Sequence, residues 1–352
     1  MTTTYAEAGV DQAKKDAAVD VILRMSRRTH DPGVMDIPWG FAGLYSLKNS
    51  SLFDKSLKNP VLVACTDGVG TKLKIARALN RHDTVGIDLV AMSVNDLIVT
   101  GATPLFFLDY IAIAKTDKQV LIDIVKGVVD GCLQSQCALL GGETAEMPGM
   151  YAPGDYDLAG FAVGVVDKSK ILDGSAVRAG DDVIALASSG LHSNGFSLAR
   201  KLVEDAKVAY DQPVPELGGR AGDALLTPTR IYAKAVKSVL RNYRVKKAVK
   251  AMANITGGGI VENIPRVIPK GLAVQLREGS WPVPPVFRWL QKLGDVAEPE
   301  MRRVFNMGVG FVLICSPTFT NAIVRTLKRA GEHPGVVGTV VKGAQDVTFV
   351  KG

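Results

Sequence analysis

Apolar residues along the chain alternate between short unbroken runs and longer stretches with a helical period. Val61-Leu-Val-Ala-Cys65, bounded by Asn59-Pro60 and Thr66-Asp67, has the pattern of a short buried strand. Leu105–Ile113, opened by Thr103-Pro104, and Leu158–Val166 predict two more strands. Ala138-Leu139-Leu140 predicts another, ending in a Gly141-Gly142 turn ahead of Glu143. From Lys118 to Cys132 the residues Val120, Leu121, Ile124, Val125, Val128 and Val129 fall on one helical face. Looser periods predict helices over Asp16–Arg28, Lys74–Leu79 and Val85–Thr100. The second half repeats this style, with a strand over Val183–Ala187 and a helix over Phe196–Val203. A helix capped by Thr227-Pro228 is predicted through Leu240, because threonine at the cap and proline in the first turn suit a helix start. A strand pair near Gly308–Cys315 and a helix over Thr318–Arg329 complete the pattern. Such alternation predicts an α/β protein of α+β layers. Charged residues around Asp167–Gly174 separate two patterned halves, giving domains 1–170 and 171–352.

Composition narrows the picture. A chain of 352 residues, 47% hydrophobic, can bury the cores of two domains. Every apolar run is broken before it reaches spanning length, so no membrane partner is expected. The start, Met1–Glu7, has no basic segment leading into an apolar one, so the expected location is cytoplasmic. Cys65, Cys132, Cys137 and Cys315 lie in apolar stretches without C-x-x-C spacing and read as reduced, buried thiols. The net charge of +7 is concentrated in Arg241–Lys250. That run lacks interleaved aromatics beyond Tyr243, so it reads as a solvated helix end and no nucleic-acid partner is expected.

The chemistry lies where acids and glycines meet apolar segments. Asp67 ends a strand, Asp109 sits inside one, and Asp88, Asn95 and Asp96 belong to an apolar helix. Burying carboxylates is costly unless a cation or partner compensates. Magnesium takes oxygen ligands and often only one or two carboxylates, with phosphates completing its shell. The glycine loops Asp67–Lys72, Ser189–Gly195 and Thr256–Gly259 complement those acids, since small residues let backbone N–H groups approach a phosphate. None is a Walker A loop, and Ser189–Gly195 is not a nucleophile elbow.

Taken in order, several strings are more specific: Tyr5-Ala-Glu-Ala-Gly-Val-Asp11, Thr66-Asp-Gly-Val-Gly-Thr-Lys72, Gly86–Asp96, Pro104-Leu-Phe-Phe-Leu-Asp-Tyr110 and Gly141–Tyr151. They continue with His192-Ser-Asn-Gly195, Thr227-Pro-Thr-Arg230, Thr256–Gly259 with Glu262-Asn-Ile-Pro-Arg266, and Asn306-Met-Gly-Val-Gly310. The sequence resembles the aminoimidazole ribonucleotide synthetase family from Tyr5 nearly to its end. The resemblance implies a two-domain enzyme that dimerises through its N-terminal domains and uses ATP with Mg²⁺. It implies closure of formylglycinamidine ribonucleotide to aminoimidazole ribonucleotide, with release of ADP and phosphate. By motif, Asp67 and Asp96 would hold the metal, with Glu143 a further metal or nucleotide contact. Gly68, Gly70, Thr71, Lys72, Asp88 and Asn95 would line the nucleotide. His192, Ser193, Asn194 and Gly195, with Thr256, Gly257, Gly258 and Gly259, would face the substrate phosphate and reacting groups. His192 is the candidate for proton transfer. Asn254 stands where the family often has histidine, Leu23 where a lysine is usual, and Trp39-Gly-Phe-Ala42 where the family reads Gly-Gly-Phe-Gly. Selenophosphate synthetase, a relative in the wider superfamily, usually carries a reactive Cys or Sec near its N-terminus, and no cysteine precedes Cys65 here.

Overall fold

The structure, a computed structural model, describes residues 12–35, 42–243 and 247–351. The strings at Tyr5–Asp11 and Trp39–Phe41, and Arg244–Lys246 of the basic run, lie outside them. The chain divides into two compact units: residues 1–97 with 103–167, and residues 98–102 with 168–352. Among the described residues no helix is long and apolar enough to cross a membrane.

The first unit begins with α1 (Gln12–Ser26) and a small hairpin of β1 (Val34–Met35) and β2 (Leu44–Tyr45). Its body comprises β3 (Pro60–Gly68), α2 (Lys72–Ala78), α3 (Val85–Ile98), β4 (Thr103–Ile113), α4 (Lys118–Ser135), β5 (Ala138–Glu146) and β6 (Tyr156–Asp167). The sheet order is β3-β6-β4-β5, with β4 and β5 parallel and the other pairs antiparallel. Along β3, Leu62, Ala64 and Thr66 are exposed, whereas the residues alternating with them are half-buried. One face of the sheet is therefore open and the other covered, as alternation requires of a one-sided layer. On the covered side α3 buries Val85, Leu89, Val90, Ala91 and Val94 completely.

The second unit contains β7 (Asp182–Ala187), α5 (Phe196–Asp205), a hairpin of β8 (Pro213–Val214) and β9 (Gly219–Arg220), α6 (Ala221–Leu225), α7 (Ala233–Asn242) and β10 (Val249–Asn254). There follow α8 (Gly259–Asn263), β11 (Leu272–Glu278), α9 (Pro285–Gly294), α10 (Glu298–Val304), β12 (Val309–Cys315), α11 (Pro317–Arg329), β13 (Pro334–Lys342) and β14 (Val347–Lys351). The large sheet runs β10-β12-β7-β13-β11-β14. Strand β12, between β10 and β7, is buried at every position, and Val183, Val274, Val312, Ile314 and Val340 form part of the core.

Three expectations fail locally. The strand pair expected near Gly308–Cys315 is the single strand β12. The predicted Gly141-Gly142 turn does not exist: β5 runs straight through it to Glu146. The reason is the neighbouring strand, because a Cβ on Gly142 would lie 2.3 Å from Asp109 Oδ1. The glycine makes room for a carboxylate rather than a turn. Nor does Thr227-Pro228 start a helix, since α7 begins at Ala233. Thr227 Oγ1 bonds back to Asp223 O at 3.1 Å and Pro228 O accepts from Ser189 Oγ at 2.6 Å, so this segment braces a loop.

Candidate active site

In the first unit the strand register aligns Asp67, Gly160, Asp109 and Gly142 in one row across β3, β6, β4 and β5. Directly opposed residues share a face, and this row lies on the helix-covered side. The next row, Gly68, Ala159, Tyr110 and Glu143, points to the open face. Glu143 therefore does not join Asp67, contrary to the metal role expected for it. A single step along a strand turns a side chain to the opposite face.

Cys65 lies within electrostatic reach of both Asp67 and Asp96. Cys65 Sγ donates to Ser93 O at 2.9 Å, tying β3 to α3 just before each acid. Burial, followed by the charges of Asp96 and Asp67, pushes the Cys65 thiol up to about 12. Asp67 is half-buried, and that burial raises its carboxyl above the ordinary value, opposed by the Gly68 N–H that bonds Oδ1 at 2.7 Å. A carboxylate disfavoured by burial is an oxygen donor suited to a hard cation. Among the described residues no group of three or more His, Cys, Asp or Glu side chains is arranged to hold a metal ion. Two carboxylates with phosphate and water oxygens completing the shell fit Mg²⁺ in that setting.

The glycine turn follows Asp67. Gly68 is half-buried, Gly70 has φ +72° and is exposed, and Thr71 is exposed at the start of α2. Lys72 turns inward instead. Its Nζ lies 2.8 Å from Asp88 Oδ2, and both side chains are fully buried. Neither can touch a nucleotide in this geometry, so both expected contacts are replaced by one internal ion pair. Asn95 is likewise fully buried. The cations beside the turn, which sequence reasoning missed, are Lys74 and Arg77, two and five residues beyond Lys72 on α2. Both pair with Asp155 at 2.5 Å, and with Gly70, Thr71 and Tyr151 they line a cleft of about 290 Å³. Their spacing behind a glycine turn was the available signal. Asp109, inside the sheet, is pushed up to about 7 by burial.

In the second unit two glycine loops adjoin. Asn194 Oδ1 comes within 3.7 Å of the position a Cβ on Gly257 would take. Ser193, Asn194, Gly195, Thr256 and Gly258 are half-buried, Gly257 is exposed and Gly259 buried. Gly259 has φ +59°, and a Cβ there would lie 2.0 Å from Arg302 O, so only glycine fits. His192 has φ +65° and is 2% exposed. Its Nε2 accepts the Ser189 N–H at 3.2 Å, which places the ring proton on Nδ1 and engages the basic nitrogen within its own loop. That geometry braces the loop and does not offer His192 as a base to a substrate. Tyr232 supports it from below, its hydroxyl donating to Ala187 O at 2.9 Å. Asn254, at the end of β10, is buried. In the basic run, Arg241 closes α7 and Lys250 Nζ pairs with Asp181 at 2.6 Å.

The sequence reasoning also missed two anchoring amides. Asn306 Nδ2 donates to Gly190 O at 2.9 Å and Leu191 O at 3.2 Å, while its Oδ1 accepts from Ser188 Oγ and Gly308 N–H. Asn263 Nδ2 approaches Thr256 O, Gly257 O and Gly259 O at 3.3, 3.2 and 2.8 Å. Both fall in the strings at Asn306–Gly310 and Glu262–Arg266, close to glycines, which was the signal present.

Residues 53–166 match the AIR synthase related protein, N-terminal domain, and residues 178–351 match its C-terminal domain. The chain belongs to the AIR synthase related family. Within reach of that family, it is 53% identical over 337 residues to a phosphoribosylformylglycinamidine cyclo-ligase of Burkholderia multivorans, covering 96% of this chain and 93% of the relative. The cyclo-ligase of Brevibacillus brevis is 49% identical over 350 residues, covering 99% of both. Among solved structures, thiamine-monophosphate kinase from Stenotrophomonas maltophilia superposes with a TM-score of 0.67 at 16% identity, covering 95% of each chain. The E. coli protein HypE gives 0.63 at 16% identity, covering 95% of this chain and 93% of its own. These two share the fold.

Proposed function

We propose that this protein is a cytoplasmic phosphoribosylformylglycinamidine cyclo-ligase, closing formylglycinamidine ribonucleotide to aminoimidazole ribonucleotide at the expense of ATP in purine biosynthesis. The observation that carries this is identity of about half the residues, over nearly the full length, with relatives of that name. The formyl oxygen is a poor leaving group and its carbon a weak electrophile. Moving the γ-phosphoryl of ATP onto that oxygen turns it into a phosphate leaving group. The ribose-bearing nitrogen then attacks the formyl carbon, the C–O bond breaks, phosphate leaves and the nitrogen loses its proton. Such chemistry asks the protein mainly for positioning and charge neutralisation.

In this reading Asp67 and Asp96 hold Mg²⁺, which supplies charge neutralisation to the nucleotide phosphates. The Gly68–Thr71 turn, with Lys74 and Arg77 beside it, binds those phosphates. A HypE structure of the same fold is described as a complex with ATP, which agrees with a nucleotide on this scaffold. In the second unit the Ser189–Gly195 and Thr256–Gly259 loops take the phosphate of the ribonucleotide. The buried Lys72–Asp88 pair keeps the glycine turn fixed to α3. The open sheet face carries Leu62 at 63%, Phe161 at 41% and Tyr110 at 40% exposure, and a homodimer covering it accounts for apolar residues left on that face. The test supplies formylglycinamidine ribonucleotide, MgATP and purified protein, and follows formation of aminoimidazole ribonucleotide. Absence of that product, with ADP also absent, would overturn the reading.

A further inference from the structure

A loop that takes a phosphate must present peptide N–H groups, and within a planar trans peptide the N–H and C=O point in opposite directions. Whatever draws a loop's carbonyls inward therefore turns the next residues' N–H groups outward. Beneath Ser188–Gly195 one amide does this. Asn306 Nδ2 draws in the carbonyls of Gly190 and Leu191, and the corresponding N–H groups are those of Leu191 and His192. Beneath the second loop Asn263 draws in the carbonyls of Thr256, Gly257 and Gly259, which correspond to the N–H groups of Gly257, Gly258 and Ile260. Asn306 is 2% and Asn263 3% exposed, so water cannot readily take over either set of bonds.

The two anchors share a floor. Asn306 follows α10 closely, and Gly259 packs against the end of that helix, where a Cβ would meet both Arg302 O and Phe305 O. The Oδ1 of Asn306 is held in turn, accepting from Ser188 Oγ and from Gly308 N–H, both at 2.9 Å. Oδ1 of Asn263 accepts from Arg266 at 3.2 Å, which orients the amide with its donor toward the loop.

We propose that Asn306 and Asn263 are positioning residues for the ribonucleotide-binding loops. Each acts from beneath, turning loop carbonyls inward so that the N–H groups face a phosphate monoester. This rests on the reading that these loops take the substrate phosphate.

Asn306→Asp and Asn263→Asp test it, since aspartate has nearly the shape of asparagine but replaces the donor by an acceptor facing carbonyl oxygens. Hydrogen exchange should quicken by ~10-fold or more, confined to residues 188–195 and 256–259, as expected when a buried hydrogen-bonding group loses its partner. The KM for formylglycinamidine ribonucleotide should rise by ~10-fold or more while the KM for ATP stays within about twofold, because only one substrate meets these loops. Unchanged loop exchange in the folded variants would overturn the proposal. So would both KM values and kcat deteriorating together alongside a lowered Tm, the mark of a merely structural role. Faster exchange with an unaltered ribonucleotide KM would leave the anchors intact as loop braces and overturn their service to substrate. Failure of wild-type protein to make product would instead strike the functional reading, and exchange alone would still decide the anchoring. Should one variant fail to fold, the other carries the same test on its own loop.

Discussion

Lys72 Nζ stands 2.8 Å from Asp88 Oδ2, and solvent reaches neither side chain. This pair joins the first residue of α2 to the first turn of α3 and so fixes the glycine turn between β3 and α2. Burial pulls the lysine's pKa down, and the Asp88 charge opposes that fall. Removing one partner leaves an uncompensated buried charge, at a cost of ~3–5 kcal/mol. Lys72→Met should be destabilised by about that much in chemical denaturation. The double variant Lys72→Met/Asp88→Leu should recover most of the loss. Additive losses in the double-mutant cycle would show that the two charges are not coupled.

Asp96 is exposed on α3 while its neighbours Asn95 and Leu97 are buried, so its carboxylate is directed away from the core. In the proposed function it holds Mg²⁺ together with Asp67. Asp96→Asn should lower turnover by ~10²-fold or more, the scale of losing one preorganised charge stabiliser. Its Tm should stay close to wild type, because the side chain contributes little to packing. Turnover near wild type at limiting Mg²⁺ would remove Asp96 from the site.

Asp109 yields a pH prediction. Burial pushes its folded-state pKa up to about 7, whereas in the unfolded chain an aspartate titrates near 4. As pH rises between these values the unfolded chain gives up its proton first, so the unfolded state gains. The group's stabilising contribution is complete below the unfolded value and is lost as pH rises through the folded one. Asp109→Asn removes this titration. Its Tm relative to wild type should therefore be higher at pH 8 than at pH 4.5, by about 2–4 °C. An equal offset at both values would make Asp109 an ordinary carboxylate.

The layered α/β class was legible because periodicity reports burial on one face, and α4 carries that signal plainly. What escaped depends on neighbours distant in sequence. Gly141-Gly142 reads as a turn until Asp109 on the adjacent strand is seen to occupy the space. Lys72 reads as a phosphate ligand by its place after a glycine turn, but its side chain is claimed by Asp88, sixteen residues on. Asp67 and Glu143 look alike as acids beside glycine, and only the strand register sends them to opposite faces. His192 shows the same limit, since no spacing rule reveals that Ser189 N–H takes its Nε2.

The reaction itself makes a prediction that can be read in the products. If the γ-phosphoryl moves onto the formyl oxygen before ring closure, that oxygen must leave bonded to phosphorus. Substrate carrying ¹⁸O in its formyl group should give inorganic phosphate bearing the label, with none in ADP. No cysteine is needed for the step, and burial keeps the Cys65 thiol protonated, pushed up to about 12, so a thiolate route would not compete. Dehydration coupled only indirectly to ATP hydrolysis would release the label into water. Mass spectrometry of the phosphate from a single turnover separates the two, provided recovered substrate retains its label. Unlabelled phosphate under that control would rule out activation of the formyl oxygen and leave Asp67 and Asp96 to serve ATP in some other step.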